Sequence, residues 1–64
     1  MNVLIVGSGG REHAIAASVA KSQRADKIFC APGNAGIAEY AQCVPIGAME
    51  FDKLRDFAKE NAID

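Results

Sequence analysis

The sequence has no basic excess, no long apolar run and no cysteine framework. Seven Lys and Arg stand against eight Asp and Glu, a net charge of −1. That balance gives no electrostatic footprint for a nucleic acid or a membrane surface. The apolar run nearest the start, Val3-Leu4-Ile5-Val6, lacks a cationic leader and falls far short of a signal segment or a membrane span. Two cysteines, Cys30 and Cys43, form no CxxC pair and no second ligand cluster, so they imply neither a disulfide scaffold nor a zinc site. Both read as small buried apolar residues of a reducing cytoplasm. There are no repeats and no low-complexity stretches. Half the residues are hydrophobic, which is a globular composition. At 64 residues, the chain is short for an independent core.

What is there alternates between strand and helix signals. Val3 to Val6 reads as a strand buried on both faces of a parallel sheet. Gly7-Ser8-Gly9-Gly10 breaks it, and a helix runs from Arg11 to about Ser22. Its apolar face is Ala14, Ile15, Ala17, Val19 and Ala20, small enough for a close approach to a sheet. A polar connection, Gln23 to Asp26, leads to a second strand, Lys27 to Ala31. Pro32-Gly33-Asn34-Ala35-Gly36 is a cluster of turn formers, followed by a short helical turn over Ile37 to Tyr40. Cys43 to Ile46 is a weaker third strand, which Pro45 confines to an edge, and Gly47 ends it. Glu50 to Ala62 is amphipathic, with Phe51, Leu54, Phe57, Ala58 and Ala62 on one side and Asp52, Lys53, Arg55, Asp56, Lys59 and Glu60 on the other.

This order predicts an α/β fold, a partial Rossmann-like parallel sheet of order β-α-β-β-α with right-handed crossovers. In a doubly wound sheet, the last helix feeds a fourth strand beside the first. That strand is expected beyond Asp64, and residues 1–64 then form part of a larger domain. The alternative is a complete three-stranded mini-domain. If the edge that awaits a fourth strand is open, it is also a route to self-association.

The chemistry sits in the glycine loop. A buried strand delivers Gly7-Ser8-Gly9-Gly10-Arg11-Glu12 to the carboxyl edge of the sheet, where open α/β folds bind ligands. The glycines remove side chains that would hold a ligand off. The first N–H groups of the helix face an anion, and Arg11 adds a fork of donors suited to phosphate. Dinucleotide binding fits less well. Glu12 stands where GxGxxG requires a third glycine, and Cys30-Ala31-Pro32 stands where an acidic residue would hold the ribose. No GKS or GKT follows, so the loop is not a Walker A motif. Glu12 has two readings, as a helix cap or as an acceptor for ribose hydroxyls. His13 reads as a structural imidazole with no partner at triad spacing. Pro32-Gly33-Asn34 ends the second strand at the same sheet edge; alone it is an ordinary turn, with the Asn34 amide as its one versatile polar group.

Met1-Asn2-Val3-Leu4-Ile5-Val6 followed by Gly7-Ser8-Gly9-Gly10-Arg11-Glu12-His13-Ala14 resembles the start of the phosphoribosylamine–glycine ligases, also called glycinamide ribonucleotide synthetases. Ala31-Pro32-Gly33-Asn34-Ala35-Gly36 resembles the same family. The resemblance covers the whole chain but only the opening of such an enzyme. It implies an ATP-grasp ligase of purine synthesis that joins glycine to 5-phosphoribosylamine through a glycyl phosphate. The implied cofactors are ATP and Mg or Mn. It places Gly9, Gly10, Arg11, Glu12, Pro32, Gly33 and Asn34 around the phosphoribosyl group. The partners it implies are 5-phosphoribosylamine, glycine, ATP and the remainder of the same polypeptide, in the cytoplasm, with no nucleic acid and no membrane. Two other functions compete with it: a stand-alone module for a sugar phosphate or nucleotide, and the start of an NAD-binding Rossmann domain.

Asp52, Asp56 and Glu60 lie on a face of the last helix that reads as solvated, and nothing in the chain supplies a nucleotide cleft with metal-holding carboxylates. The 64-residue chain alone is therefore expected to consume no ATP when given glycine and 5-phosphoribosylamine. A coupled ADP-release assay on the purified chain checks this, and turnover that depends on both substrates contradicts it.

Overall fold

The computed structural model describes the whole chain, residues 1–64. Its elements are strand β1 (Asn2–Gly7), helix α1 (Gly10–Ala20), strand β2 (Lys27–Pro32), a single 3-10 turn (Ile37–Glu39), strand β3 (Gln42–Cys43) and helix α2 (Phe51–Glu60). The three strands are parallel in the order β1-β2-β3. This is the expected α/β architecture, with the third strand at an edge. No helix is long and apolar enough to cross a membrane.

β1 and β2 pair along their full length, from Asn2 opposite Lys27 to Gly7 opposite Pro32. Alternate residues of each strand point to opposite faces, and this divides the core in two. On one face, Ile5, Cys30, Ile37 and Ala41 close around Ala16 of α1, with Val3, Ile28 and Cys43 packed beside them. On the other, Phe29, Ala31 and Val44 receive Leu54 and Phe57 of α2, together with Leu4, Ile46 and Ile63. The Phe29 and Phe57 rings meet edge to face, their centroids 5.0 Å apart. Helices on both faces explain why the strands read as continuous apolar runs, but of Val3 to Val6 only Ile5 is buried and Val6 is exposed, against the burial expected of the whole run.

Several expected details shift. The face of α1 that meets the sheet is centred on Ala16, which is fully buried, whereas Ile15 is 44% exposed. The smallest side chain sits at the closest approach, and the branched residue beside it faces solvent. β3 is Gln42–Cys43 rather than Cys43 to Ile46. The Val44 N–H still donates to the Cys30 carbonyl at 2.9 Å, but Pro45 has no N–H to continue the ladder. The Ile46 N–H turns back to the Val44 carbonyl at 2.8 Å. Phe51 does not join the second cluster and is 65% exposed. Cys43 is only partly buried, so the burial expected of both cysteines holds fully for Cys30 alone.

The ends of α2 are tied down by side chains. Glu50 accepts the Gly47 N–H at 2.6 Å and the Lys53 ammonium at 3.0 Å. The Gly47 hydrogen bond, followed by Lys53, holds the Glu50 carboxyl below its ordinary pKa. At the other end, the Asn2 carboxamide donates to the Asn61 and Ala62 carbonyls at 3.1 and 3.3 Å, satisfying groups that a helix end leaves open. Asp64 then returns to the free edge of β1. Its N–H donates to the Asn2 carbonyl at 2.9 Å, and its carboxylate accepts the Asn2 N–H at 2.7 Å.

Phe29 is the largest strand side chain in the second cluster, and its ring meets Phe57 of α2. Phe29→Ala should cost about 3–5 kcal/mol. Domains of ordinary size have only about 5–15 kcal/mol in total, and a chain this short lies at the low end. The expected outcome is loss of the cooperative thermal transition in circular dichroism. A variant that melts cooperatively near the parent temperature would contradict this packing.

Candidate functional site: two loops at the carboxyl edge of the sheet

Because Gly7 is in register with Pro32, β1 and β2 end side by side. The two segments singled out in the sequence, Gly7 to Glu12 and Pro32 to Asn34, therefore leave the sheet as neighbours. The Gly33 N–H donates to the Gly7 carbonyl at 3.0 Å. The Cys30 thiol donates to the same carbonyl at 3.3 Å. Asn34 adds a third tie, from its Nδ2 to the Ser8 carbonyl at 2.6 Å. The peptide bond between Ala31 and Pro32 is cis.

Two glycines are required by the backbone itself. Gly7 has φ +137°, and Gly33 has φ +73°, both in the region that L side chains rarely adopt. At Gly7 there is also no space. An added Cβ would lie 2.5 Å from Glu12 Oε1. At Gly33 it would collide with the Cys43 thiol.

Glu12 lies folded back over the loop. Its Oε2 accepts the Gly9 N–H at 3.0 Å, the returning half of a capping box. Gly9 has no side chain to supply the forward half. The carboxylate thus serves the helix as a cap, and it covers Gly7 and Gly9 while doing so. The next three N–H groups, of Gly10, Arg11 and Glu12, find no acceptor within the chain, and the first helical hydrogen bond runs from the His13 N–H to the Gly9 carbonyl at 3.0 Å. These donors, with the positive end of the helix dipole behind them, are what an anion needs. Arg11 is exposed and makes no ion pair, so its guanidinium is free to join them.

His13 has a packing role. Its ring lies against Tyr40, centroids 5.7 Å apart, and an added Cβ on Gly36 would sit 3.0 Å from its Cε1. The Cys30 thiol is held above its ordinary pKa, first by burial and then by its neighbour Cys43. It is therefore a poor nucleophile. No three His, Cys, Asp or Glu side chains converge to suit a metal ion. Asp52 and Asp56 are exposed and flank Arg55, at 3.9 and 3.4 Å. A surface hollow lies at the start of α2, lined by Met49 to Lys53. It includes none of the loop residues.

The structure brings the seven residues expected at the site onto two adjoining loops but gives them different tasks. Gly10 and Arg11 present open donors. Gly9 and Glu12 satisfy each other through the cap, although Glu12 keeps its own N–H open. Gly33 and Asn34 tie the loops together, and Pro32 closes β2. Sequence reasoning did not single out Ser8, whose carbonyl receives Asn34, or Tyr40 and Gly36, which hold His13.

Gly7→Ala combines a forbidden torsion with a collision against Glu12. It should cost about 1–3 kcal/mol and displace the Glu12 carboxylate from Gly9. Thermal melting together with the Gly9 amide shift reads both effects. An unchanged amide shift would contradict the close packing of Glu12 on Gly7.

A sequence model of the family described as "Phosphoribosylglycinamide synthetase, N domain" matches residues 1–64. The chain is similar to a phosphoribosylamine–glycine ligase of Caldanaerobacter subterraneus subsp. tengcongensis, 56% identical over 64 residues, covering 100% of this chain and 15% of that protein. The ligase of Halalkalibacterium halodurans is 51% identical over 63 residues, covering 98% of this chain and 15% of that protein. The ligase of Rhizobium meliloti is 48% identical over 64 residues, covering 100% of this chain and again 15% of that protein. The chain thus spans 15% of the length of the relatives it matches.

Proposed function

This chain belongs to the phosphoribosylglycinamide synthetase N-domain family, and we propose that it is the opening part of an ATP-dependent ligase of purine synthesis that joins glycine to 5-phosphoribosylamine. In the proposed reaction, ATP activates glycine as a glycyl phosphate, and the amine of 5-phosphoribosylamine attacks it to give glycinamide ribonucleotide. ATP and its Mg or Mn supply that activation in a region of the polypeptide outside residues 1–64. The part played by this chain is to hold the phosphoribosyl substrate, and alone it is inactive.

The single observation that carries this reading is the fan of open N–H groups on Gly10, Arg11 and Glu12, set where the ends of β1 and β2 adjoin. A phosphate monoester seated there accepts three backbone hydrogen bonds and a charge-assisted contact from Arg11. Glu12 supports a mononucleotide-type ligand over a dinucleotide. It holds the third glycine position of the dinucleotide fingerprint, and its carboxylate already occupies the Gly9 N–H. A pyrophosphate approaching that part of the loop meets a negative group. A free Glu12 oxygen can instead accept a ribose hydroxyl hydrogen.

Titration of the 15N-labelled protein with ribose 5-phosphate tests the reading. The amides of Gly10, Arg11 and Glu12 should shift together and saturate, and Arg11→Ala should weaken binding roughly tenfold or more, the worth of a hydrogen bond to a charged group. NAD at the same concentrations should leave those amides in place. Shifts produced by NAD but not by ribose 5-phosphate would overturn the assignment in favour of a dinucleotide site.

A further inference from the structure

The Ser8–Gly9 peptide is held from both sides. Its carbonyl accepts the Asn34 Nδ2–H at 2.6 Å, and its N–H donates to Glu12 Oε2 at 3.0 Å. In a trans peptide, the C=O and N–H point in opposite directions. Two partners on opposite sides therefore fix the rotation of the plane. This peptide is also the last one before the open donors of Gly10, Arg11 and Glu12, so its orientation sets where α1 begins and which way those donors point.

Asn34 is held independently of that contact. Its Oδ1 accepts the Ile37 N–H at 2.9 Å, and its main-chain carbonyl accepts the Ala38 N–H at 3.0 Å. The carboxamide is thus divided. The oxygen shapes its own loop, and the nitrogen reaches across 26 residues of sequence to the glycine loop. Only a side chain with a donor and an acceptor on one planar group does both.

We propose that Asn34 is a positioning residue for the anion site. Its amide nitrogen, opposed by the Glu12 carboxylate, locks the Ser8–Gly9 peptide and so aims the Gly10–Glu12 donors at the ligand phosphate. This rests on the phosphoribosyl reading of the same loops, but the clamp itself is measurable without ligand. Asn34 acts through Ser8 and not by touching substrate.

Asn34→Asp separates the two halves of the carboxamide. It keeps an oxygen for the Ile37 N–H and removes the donor to Ser8. Asn34→Ser serves as a second variant, because a hydroxyl also accepts at a cap position but is too short to reach Ser8. Three readouts are taken: the melting temperature, hydrogen exchange of the Gly9 amide without ligand, and affinity for ribose 5-phosphate. The expected result is a retained cooperative melting transition at a modestly lower temperature, faster Gly9 exchange, and affinity, read from the uncharged Asn34→Ser, lowered about tenfold, the worth of one hydrogen bond of preorganisation. Parent-like Gly9 exchange overturns the clamp. Faster exchange with parent-like affinity overturns the positioning role and leaves the phosphoribosyl reading standing. Loss of the melting transition in both variants makes Asn34 a folding residue and overturns the inference. A parent protein that does not bind ribose 5-phosphate defeats the phosphoribosyl reading and the positioning role with it, while Gly9 exchange still decides whether the clamp exists.

Discussion

Everything in this structure follows from the full-length parallel pairing of β1 with β2. Parallel strands cannot be joined by a tight turn, so α1 must cross over between them. The crossover covers one face, and the alternation of side chains leaves a second apolar face that α2 fills. The same register ends both strands at one level, Gly7 beside Pro32. Two loops separated by more than twenty residues of sequence thereby become one surface. If the register slipped by one residue, Ile5 and Phe29 would exchange faces with their neighbours and both clusters would fail together. Stability and site geometry are therefore one constraint in this chain.

The core is correspondingly economical. On the α1 face, three of the five buried residues, Ala16, Ala41 and Cys30, are small, beside Ile5 and Ile37. Small residues bring the helix close and leave little area to bury, so much of the rigidity near the site comes from hydrogen bonds. The loops are joined through Gly33 to Gly7, Cys30 to Gly7 and Asn34 to Ser8. The glycines at 7 and 33 have the same logic. Each accepts a backbone conformation barred to other residues and leaves space that a neighbouring side chain, Glu12 or Cys43, takes up.

The parts of this arrangement legible in the sequence are those governed by local pattern. Val3 to Val6 cut off by glycine, and Leu54 with Phe57 at helical spacing, identify β1 and α2 without knowledge of the fold. Pro45 stops the ladder after Val44, for a reason as local as a missing N–H. What escaped is what depends on partners distant in sequence. Ile15 is the stronger hydrophobe, yet Ala16 is buried, because the distance between helix and sheet decides which position faces inward. Phe51 belongs to the apolar stripe by spacing, yet it lies outside the cluster and is largely exposed, while Leu54 and Phe57 meet the sheet. Asn34 in a turn looks like any turn asparagine. Its bond to Ser8 exists only once two strands have paired.

Glu12 shows why the site resists reading by motif alone. By spacing, it occupies a position that a dinucleotide loop reserves for glycine, and an acid beside an anion site looks like an error. In the structure, it is the group that satisfies the Gly9 N–H and lies over Gly7. A glycine at position 12 would leave that N–H open and the Ser8–Gly9 peptide held by Asn34 alone. The loop would then be more permissive, with four donors in place of three and a floor free to rotate. With Glu12 present, the carboxylate caps the helix at Gly9 and leaves the N–H groups of Gly10, Arg11 and Glu12 open. On the proposed phosphoribosyl reading, the residue that breaks the dinucleotide pattern is also the one that favours a single phosphate, received by the open N–H groups of Gly10, Arg11 and Glu12.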